Sequence, residues 1–341
     1  MNISSFVSVG ENIHCTRIYK VGGKFCKEAG DGKFVIEYAT PDGTKQLPVP
    51  ESFMQTADWE NGKIKHCAAA IYQGVYGSGD DQAAGIDYLQ NLARRQQAAG
   101  ATYLDINVDE FSTDIEQRVK LMEWVVGVVQ TAVSIPMSID SSNLEILKAG
   151  LAACDKERGR PMVNSVSLER EDAVAIARDA NAVVIASAAG ADSLPDDLEG
   201  RMTNIDAIYQ ILKENGFQLA DIHFDPLVFP ISTDGQNGVR FLETVSAIRE
   251  KYGPEVHIVA GLSNVSFGMP NRKLINQVYT WMAVENGADG GIVDPMQINI
   301  EVLNNLDPES EPFKLAQDLL SGKDDFGMEY ITASRDGRLN A

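Results

Sequence analysis

The sequence has no run of the roughly 18 apolar residues that a membrane-spanning helix needs. Its opening, MNISSFVSVGENIH, lacks the basic stretch and apolar run of a secretory signal. Cysteine is scarce: four in 341 residues cannot make a disulfide framework, so a reducing cytoplasm is the expected location. Positive charge is also under-represented. Against 49 Asp and Glu stand 29 Lys and Arg, a formal net charge of −20 with a pI of about 4.6. An acidic surface repels phosphate, so neither nucleic acid nor an anionic membrane is an expected partner. Three catalytic signatures are missing as well: the Walker A loop, His-Glu-x-x-His and Gly-x-Ser-x-Gly. What is present, 44% hydrophobic and 23% charged residues, is the composition of a folded globular chain and excludes disorder.

Length suggests about two domains at roughly 150 residues each, but a single α/β barrel of 341 residues is equally ordinary. The patterning favours the barrel. Apolar residues at helical spacing predict helices over 83–99, 114–131, 143–154, 171–179, 204–215, 238–252 and 273–286. Between them, short β-branched runs predict strands over 103–107, 134–139, 162–166, 182–187, 222–225, 257–262 and 290–293. Residues 298–320 read as mostly helical with a break near Asp307-Pro308, and an eighth apolar run, 6–10, precedes Glu11-Asn12. Eight alternating units predict parallel strands with right-handed crossovers, a (β/α)8 TIM barrel over 1–320. A doubly wound open sheet is the alternative. It demands a Gly-rich turn after the first strand, and Gly10-Glu11-Asn12-Ile13 is not one.

Two segments stand outside this rhythm. Residues 14–81 form an insertion after the first strand; 33–38 alternate like a strand and Pro41-Asp42-Gly43-Thr44 reads as a turn, which predicts a small β-hairpin at the barrel mouth. Residues 321–341 are polar and read as a loosely attached C-terminal tail. The insertion holds His14, Cys15, Cys26, His66 and Cys67. Adjacent His-Cys pairs are poor ligand spacing, and no Cys-x-x-Cys occurs, so packing is favoured over a zinc site and no metal is expected.

Polar residues end the strands: Glu11 and Asn12, Asp105 and Asn107, Asp140, Asn164, Ser187, Asp225, Asn264 and Asp294. In a barrel the C-terminal strand ends share one mouth, where catalytic groups gather. Asp and Asn also cap helices and make turns, which accounts for any one of them. Taken together they supply fixed acceptors and amides, suited to a flat heterocycle with N–H and amino donors, such as a pterin or guanine edge.

The stretch Gly261-Leu-Ser-Asn-Val-Ser-Phe-Gly-Met-Pro-Asn-Arg272, with Leu104-Asp-Ile-Asn107, Ile139-Asp-Ser-Ser-Asn143, Val163-Asn-Ser165 and Phe224-Asp-Pro-Leu227, resembles the pterin-binding barrel family in order and spacing over roughly 82–300. Within it the resemblance is to the methyltetrahydrofolate:corrinoid methyltransferases, including the folate module of cobalamin-dependent methionine synthase. The resemblance implies that Asp140, Asn164 and Asp225 bind the pterin ring. It implies that Asn264 is the mobile amide near N5, that Arg272 lies near the folate, and that Asp105 and Asn107 support the pocket floor. Glu11, Asn12 and Ser187 complete the substrate-binding set, with Asn264, Asp140 and Asp225 as the catalytic residues. The implied reaction moves a methyl group between a corrinoid and N5 of tetrahydrofolate, with the direction left open. No Asp-x-His-x-x-Gly cobalamin signature occurs, so the corrinoid is expected on a separate partner protein. A homodimer is left open. The alternatives are a dihydropteroate synthase-like enzyme, whose C-terminal Arg-x-His pattern is absent here, and a non-catalytic folate-binding subunit.

Overall fold

The computed structural model describes residues 3–339. In chain order the strands are β1 (Val7–His14), β2 (Ile18–Lys20), β3 (Cys26–Gly30), β4 (Lys33–Thr40), β5 (Gly43–Pro48), β6 (Lys63–Lys65), β7 (Tyr103–Asn107), β8 (Met137–Asp140), β9 (Met162–Val166), β10 (Val183–Ser187), β11 (Ile222–Asp225), β12 (His257–Ala260) and β13 (Gly290–Val293). Eight of them close a barrel in the order β1-β13-β12-β11-β10-β9-β8-β7, with helices between successive strands. This is the (β/α)8 fold that the alternating pattern predicts. The strand ranges of β7, β9, β11 and β13 coincide with the predicted ones. In β10 all five residues are buried, as expected of a parallel strand covered on both faces.

Helix starts follow the sequence where a capping side chain exists. Asp114 accepts from the N–H groups of Glu116 and Gln117 ahead of the helix Ile115–Gln130. Asn143 does the same ahead of Leu144–Ala153, accepting from Glu145 and Ile146. Asp140, three residues earlier, is thereby relieved of the capping task.

Contacts within the chain cluster into two compact units. One comprises Met1–Gly10, Ala99–Tyr103 and Met162–Ala341; the other comprises Glu11–Ala98 and Leu104–Pro161. In the first, Val9, Met162, Val183, Ile185 and Val259 form an apolar cluster flanked by Val7, Tyr103 and Ile292. Gly290 on β13 is fitted closely to it: a Cβ there would lie 2.5 Å from the Val7 carbonyl oxygen and 2.7 Å from Val259 Cγ2. Backbone cannot yield as a flexible side-chain tip does. Gly290→Ala is therefore expected to cost about 1–3 kcal/mol, read as a lowered urea midpoint with an unchanged slope.

The second unit carries the insertion, which is larger than a hairpin. β4 and β5 form the predicted hairpin, and β3 extends it to a three-stranded antiparallel sheet. β2 and β6 form a separate antiparallel pair. Within the same 14–81 stretch, His66–Tyr76 is a helix that buries Ala68, Ala69, Ala70 and Ile71. Its run of small residues gives little periodic signal, which is why the sequence pattern does not reveal it. Near the C-terminal end, Met328–Arg335 is a helix with Tyr330 and Ala333 buried.

Candidate functional site

β1 extends through His14, four residues beyond the predicted strand. His14 Nε2 lies 2.8 Å from Asp140 Oδ2 and 3.5 Å from Asp105 Oδ2, while its Nδ1 lies 3.1 Å from Thr16 Oγ1. Asp105 and Asn107 share one face of β7 because strand side chains alternate. Asn107 Nδ2 donates to the same Asp140 oxygen at 3.0 Å, and its Oδ1 accepts from the Asp109 N–H at 3.0 Å. Asp105 is 1% exposed. Burial alone lowers the basicity of His14, but its hydrogen bonds to Asp105 and Asp140 and their charges outweigh it, raising the pKa to about 9. Burial pushes the Asp140 carboxyl up, and the charge of Asp105 adds to this, against the hydrogen bonds from His14 and Asn107. Both shifts favour a cluster that keeps a proton.

The other predicted residues of this unit have structural tasks. Glu11 Oε2 receives Arg17 Nη2 at 2.6 Å, and Arg17 Nε donates to the Glu11 carbonyl at 3.0 Å. The Asn12 N–H donates to Gln96 Oε1, and its carbonyl accepts from Cys67 Sγ. His66 is buried, stacked on Tyr19 at 4.0 Å, with Nδ1 2.9 Å from Tyr88 Oη. Burial lowers its pKa to about 3 and pushes Cys67 up to about 12. Cys15, Cys26 and Cys67 are buried free thiols. A thiol held protonated by burial is a poor metal ligand.

In the first unit, Ser187 and Asp225 stand in register at the ends of β10 and β11. Ser187 Oγ accepts from the Ala189 N–H at 3.2 Å. Asn164 lies on β9 opposite Ile185. Asp225 Oδ1 accepts from the Leu227 N–H at 2.9 Å, a turn that holds Leu227 at φ 68°. Burial raises the Asp225 pKa to about 6, against the pull of that N–H and of Arg201. Arg201 is 0% exposed, and among the described residues its Nε, Nη1 and Nη2 find no hydrogen-bond partner; the guanidinium lies 5.3 Å from the Phe229 ring centre.

Asn264 lies beyond its strand, not at its end. β12 stops at Ala260, and Asn264 sits in the single-turn segment Leu262–Ser266. Gly261 leaves room for the amide, since a Cβ there would lie 3.0 Å from Asn264 Nδ2. Arg272 braces this turn. Its Nε donates to Ser266 Oγ at 2.9 Å, its Nη2 donates to the Ser263 carbonyl at 3.0 Å, and its guanidinium lies 4.4 Å over Phe267. The helix Arg272–Glu285 begins after Asn271, without a side-chain cap, so Asn264 is not its cap. Asp294 is occupied locally, accepting from the Met296 N–H and Gln297 Nε2.

Two residues escaped sequence reasoning. In the sequence His14 groups with the cysteines of the insertion, and only the extension of β1 turns it toward the carboxylates. Arg201 fell before the predicted helix 204–215; the helix in fact runs Leu198–Glu214, with Asp197 accepting from the Gly200 N–H. The Asp197 cap ahead of a periodic run was the available signal.

The profile of the family described as pterin binding enzyme matches residues 81–294. The methylcorrinoid:tetrahydrofolate methyltransferase of Eubacterium limosum is 32% identical over 257 residues, which cover 74% of this chain and 89% of that protein. Among solved structures, dihydropteroate synthase from Xanthomonas albilineans with 7,8-dihydropteroate is similar with a TM-score of 0.52 at 19% identity, covering 64% of this chain and 83% of that one. Dihydropteroate synthase from Stenotrophomonas maltophilia is similar with a TM-score of 0.51 at 19% identity, covering 66% and 87%. At these identities the structural likeness concerns the fold.

Proposed function

The chain belongs to the pterin-binding enzyme family, and from that premise we propose that it transfers a methyl group between a corrinoid carried by a separate protein and N5 of tetrahydrofolate. The observation that carries this reading is the 32% identity, over 74% of the chain, to a protein named for that reaction. The chemistry of the strand-end residues supports it. Asp140, Asn164 and Asp225 offer acceptors to the N–H and amino edge of a pterin, and ionised carboxylates make the stronger bonds. Asn107 donates to Asp140, and Asp105 lies against the same His14 ring that Asp140 meets. Ser187, Glu11 and Asn12 shape the surroundings, and Arg272 fixes the turn that carries Asn264.

A methyl group on a neutral tertiary amine is a poor electrophile. N5 must gain positive character before it can leave, and the Asn264 amide oxygen is the group assigned to that charge. The corrinoid is a substrate here, its reduced cobalt the nucleophile in one direction and its methyl the cargo in the other. The test is direct: the purified protein is mixed with 5-methyltetrahydrofolate and cob(I)alamin, and loss of cobalt(I) absorbance is followed alongside tetrahydrofolate formation. Transfer is expected. Tight folate binding with no transfer in either direction would leave a folate-binding subunit instead.

The net charge of −20 also bears on the partner. Docking to a carrier with basic surface is steered by charge, so the association rate is expected to fall as salt is raised. Turnover with the carrier that does not vary with ionic strength would reduce the acidity to a solubility feature.

A further inference from the structure

We infer that His14 is a positioning residue for ligand recognition: with Asn107 it holds Asp140 by one carboxylate oxygen, so that the other is presented to the pterin as a single acceptor. The identity of that ligand rests on the methyl-transfer reading above. His14 Nε2 and Asn107 Nδ2 both meet Asp140 Oδ2, at 2.8 and 3.0 Å. Among the described residues Oδ1 has no partner, and the Asp140 side chain stays 26% exposed. Two donors on one oxygen fix the rotation of a carboxylate and leave the lone pairs of the second for another molecule.

Charge is the second half of the task. A protonated carboxyl can turn its O–H toward the ligand's N–H, donor against donor, and the contact is lost. Burial and the charge of Asp105 push Asp140 toward that neutral form. An imidazolium 2.8 Å from Asp140 and 3.5 Å from Asp105 opposes both effects. With its pKa raised to about 9, His14 carries this charge at neutral pH, and Nδ1 finds the Thr16 hydroxyl at 3.1 Å. The groups facing the ring are Asp105 from β7, Asp140 from β8 and Thr16 just beyond β1. Cys67 of the helix His66–Tyr76 meets the β1 backbone at the Asn12 carbonyl; pushed up to about 12, it remains a neutral thiol. His14 thus acts on the ligand only through Asp140.

Calorimetric titration with 5-methyltetrahydrofolate from about pH 7 to 9 tests this, a range above the titration of Asp225. Wild-type affinity is expected to stay level to about pH 8. His14→Phe, which lacks both donor and charge, is expected to bind about tenfold more weakly at pH 7, with the gap closing toward pH 9 as Asp140 ionises unaided. His14→Gln keeps a donor without the charge and is expected to show a smaller gap with the same trend. A gap of constant size at every pH, or no gap, overturns the proposal. A second measurement needs no ligand. NMR of labelled histidine follows the ring in the folate-free protein, and His14→Gln identifies its signal among the four histidines. His14 is expected to stay protonated well above neutrality, and Asp140→Asn to lower its titration. Titration near the ordinary histidine value, or a stoichiometric bound metal lost in His14→Gln, overturns the proposal. A wild-type protein that binds neither 5-methyltetrahydrofolate nor tetrahydrofolate at any pH overturns the methyl-transfer reading instead, while the ring titration still decides whether His14 holds Asp140.

Discussion

Asn264→Ala is expected to slow methyl transfer by about 10²-fold while tetrahydrofolate affinity falls far less. The amide is neutral and cannot supply a proton, but its oxygen can accept a hydrogen bond from N5 as positive charge builds there. An interaction made mainly in the transition state appears in the rate constant and not in ground-state binding. The structure removes the main alternative, since the helix Arg272–Glu285 begins after Asn271 and takes no side-chain cap. Arg272 supplies a control. It ties the Leu262–Ser266 turn through Ser266 Oγ and the Ser263 carbonyl. Loss of that brace is expected to reproduce part of the Asn264 defect by loosening the amide. Single-turnover kinetics beside calorimetric titration separate rate from affinity. A near-normal rate with a lowered melting temperature would make Asn264 a structural residue.

Asp225→Ala is expected to weaken tetrahydrofolate binding by about 1.5–3 kcal/mol, or roughly 10- to 150-fold, the range of hydrogen bonds to a charged group. It has a second cost. Arg201 is wholly buried without a hydrogen-bond partner among the described residues, and Asp225 is a nearby negative charge that acts on it. Removing that charge leaves a buried cation less compensated, which lowers stability. The double variant Asp225→Ala with Arg201→Met is expected to regain stability but not affinity, because an apolar side chain suits the site and cannot restore the lost acceptor.

The raised pKa of Asp225, about 6, fixes the sign of the pH dependence. In the folate-free protein the raised value favours the neutral carboxyl. The stability it contributes is present below about pH 4 and is lost as pH rises through about 6. Ligand binding prefers the carboxylate, so affinity should tighten as pH rises through the same region, by about tenfold per unit below it. Asp225→Asn should flatten that slope. Unchanged affinity in Asp225→Ala would remove this residue from the site.

Much of this protein is written locally. Alternating runs and capping residues determine the eight barrel strands and most of their helices, because period and caps act within a few residues. Asn143, one residue ahead of its helix, identifies itself as a cap and so marks Asp140 as available for another task. The stretch Gly261–Arg272 is legible only through its resemblance to the pterin-binding family; that Gly261 lies against the Asn264 amide and Arg272 braces the turn is visible in the structure alone. The helix His66–Tyr76 is not legible because its buried residues run together as His66–Ile71, three of them alanine, and carry little periodic contrast.

Two decisions belong to tertiary structure alone. The sequence places His14 among the cysteines of the insertion, where it reads as a packing residue. Only the extension of β1 and the pairing of β7 with β8 bring Asp105 and Asp140 to its ring from about 90 and 125 residues away. Arg201 likewise draws no attention in the sequence, lying ahead of the predicted helix 204–215, until the helix Leu198–Glu214 buries it beside Phe229, where the charge of Asp225 acts on it. Charge states depend on burial and on neighbours distant in sequence, and neither is visible in local patterning. The residues that form the fold and offer hydrogen bonds could therefore be read from the chain, whereas which of them hold protons was decided by folding.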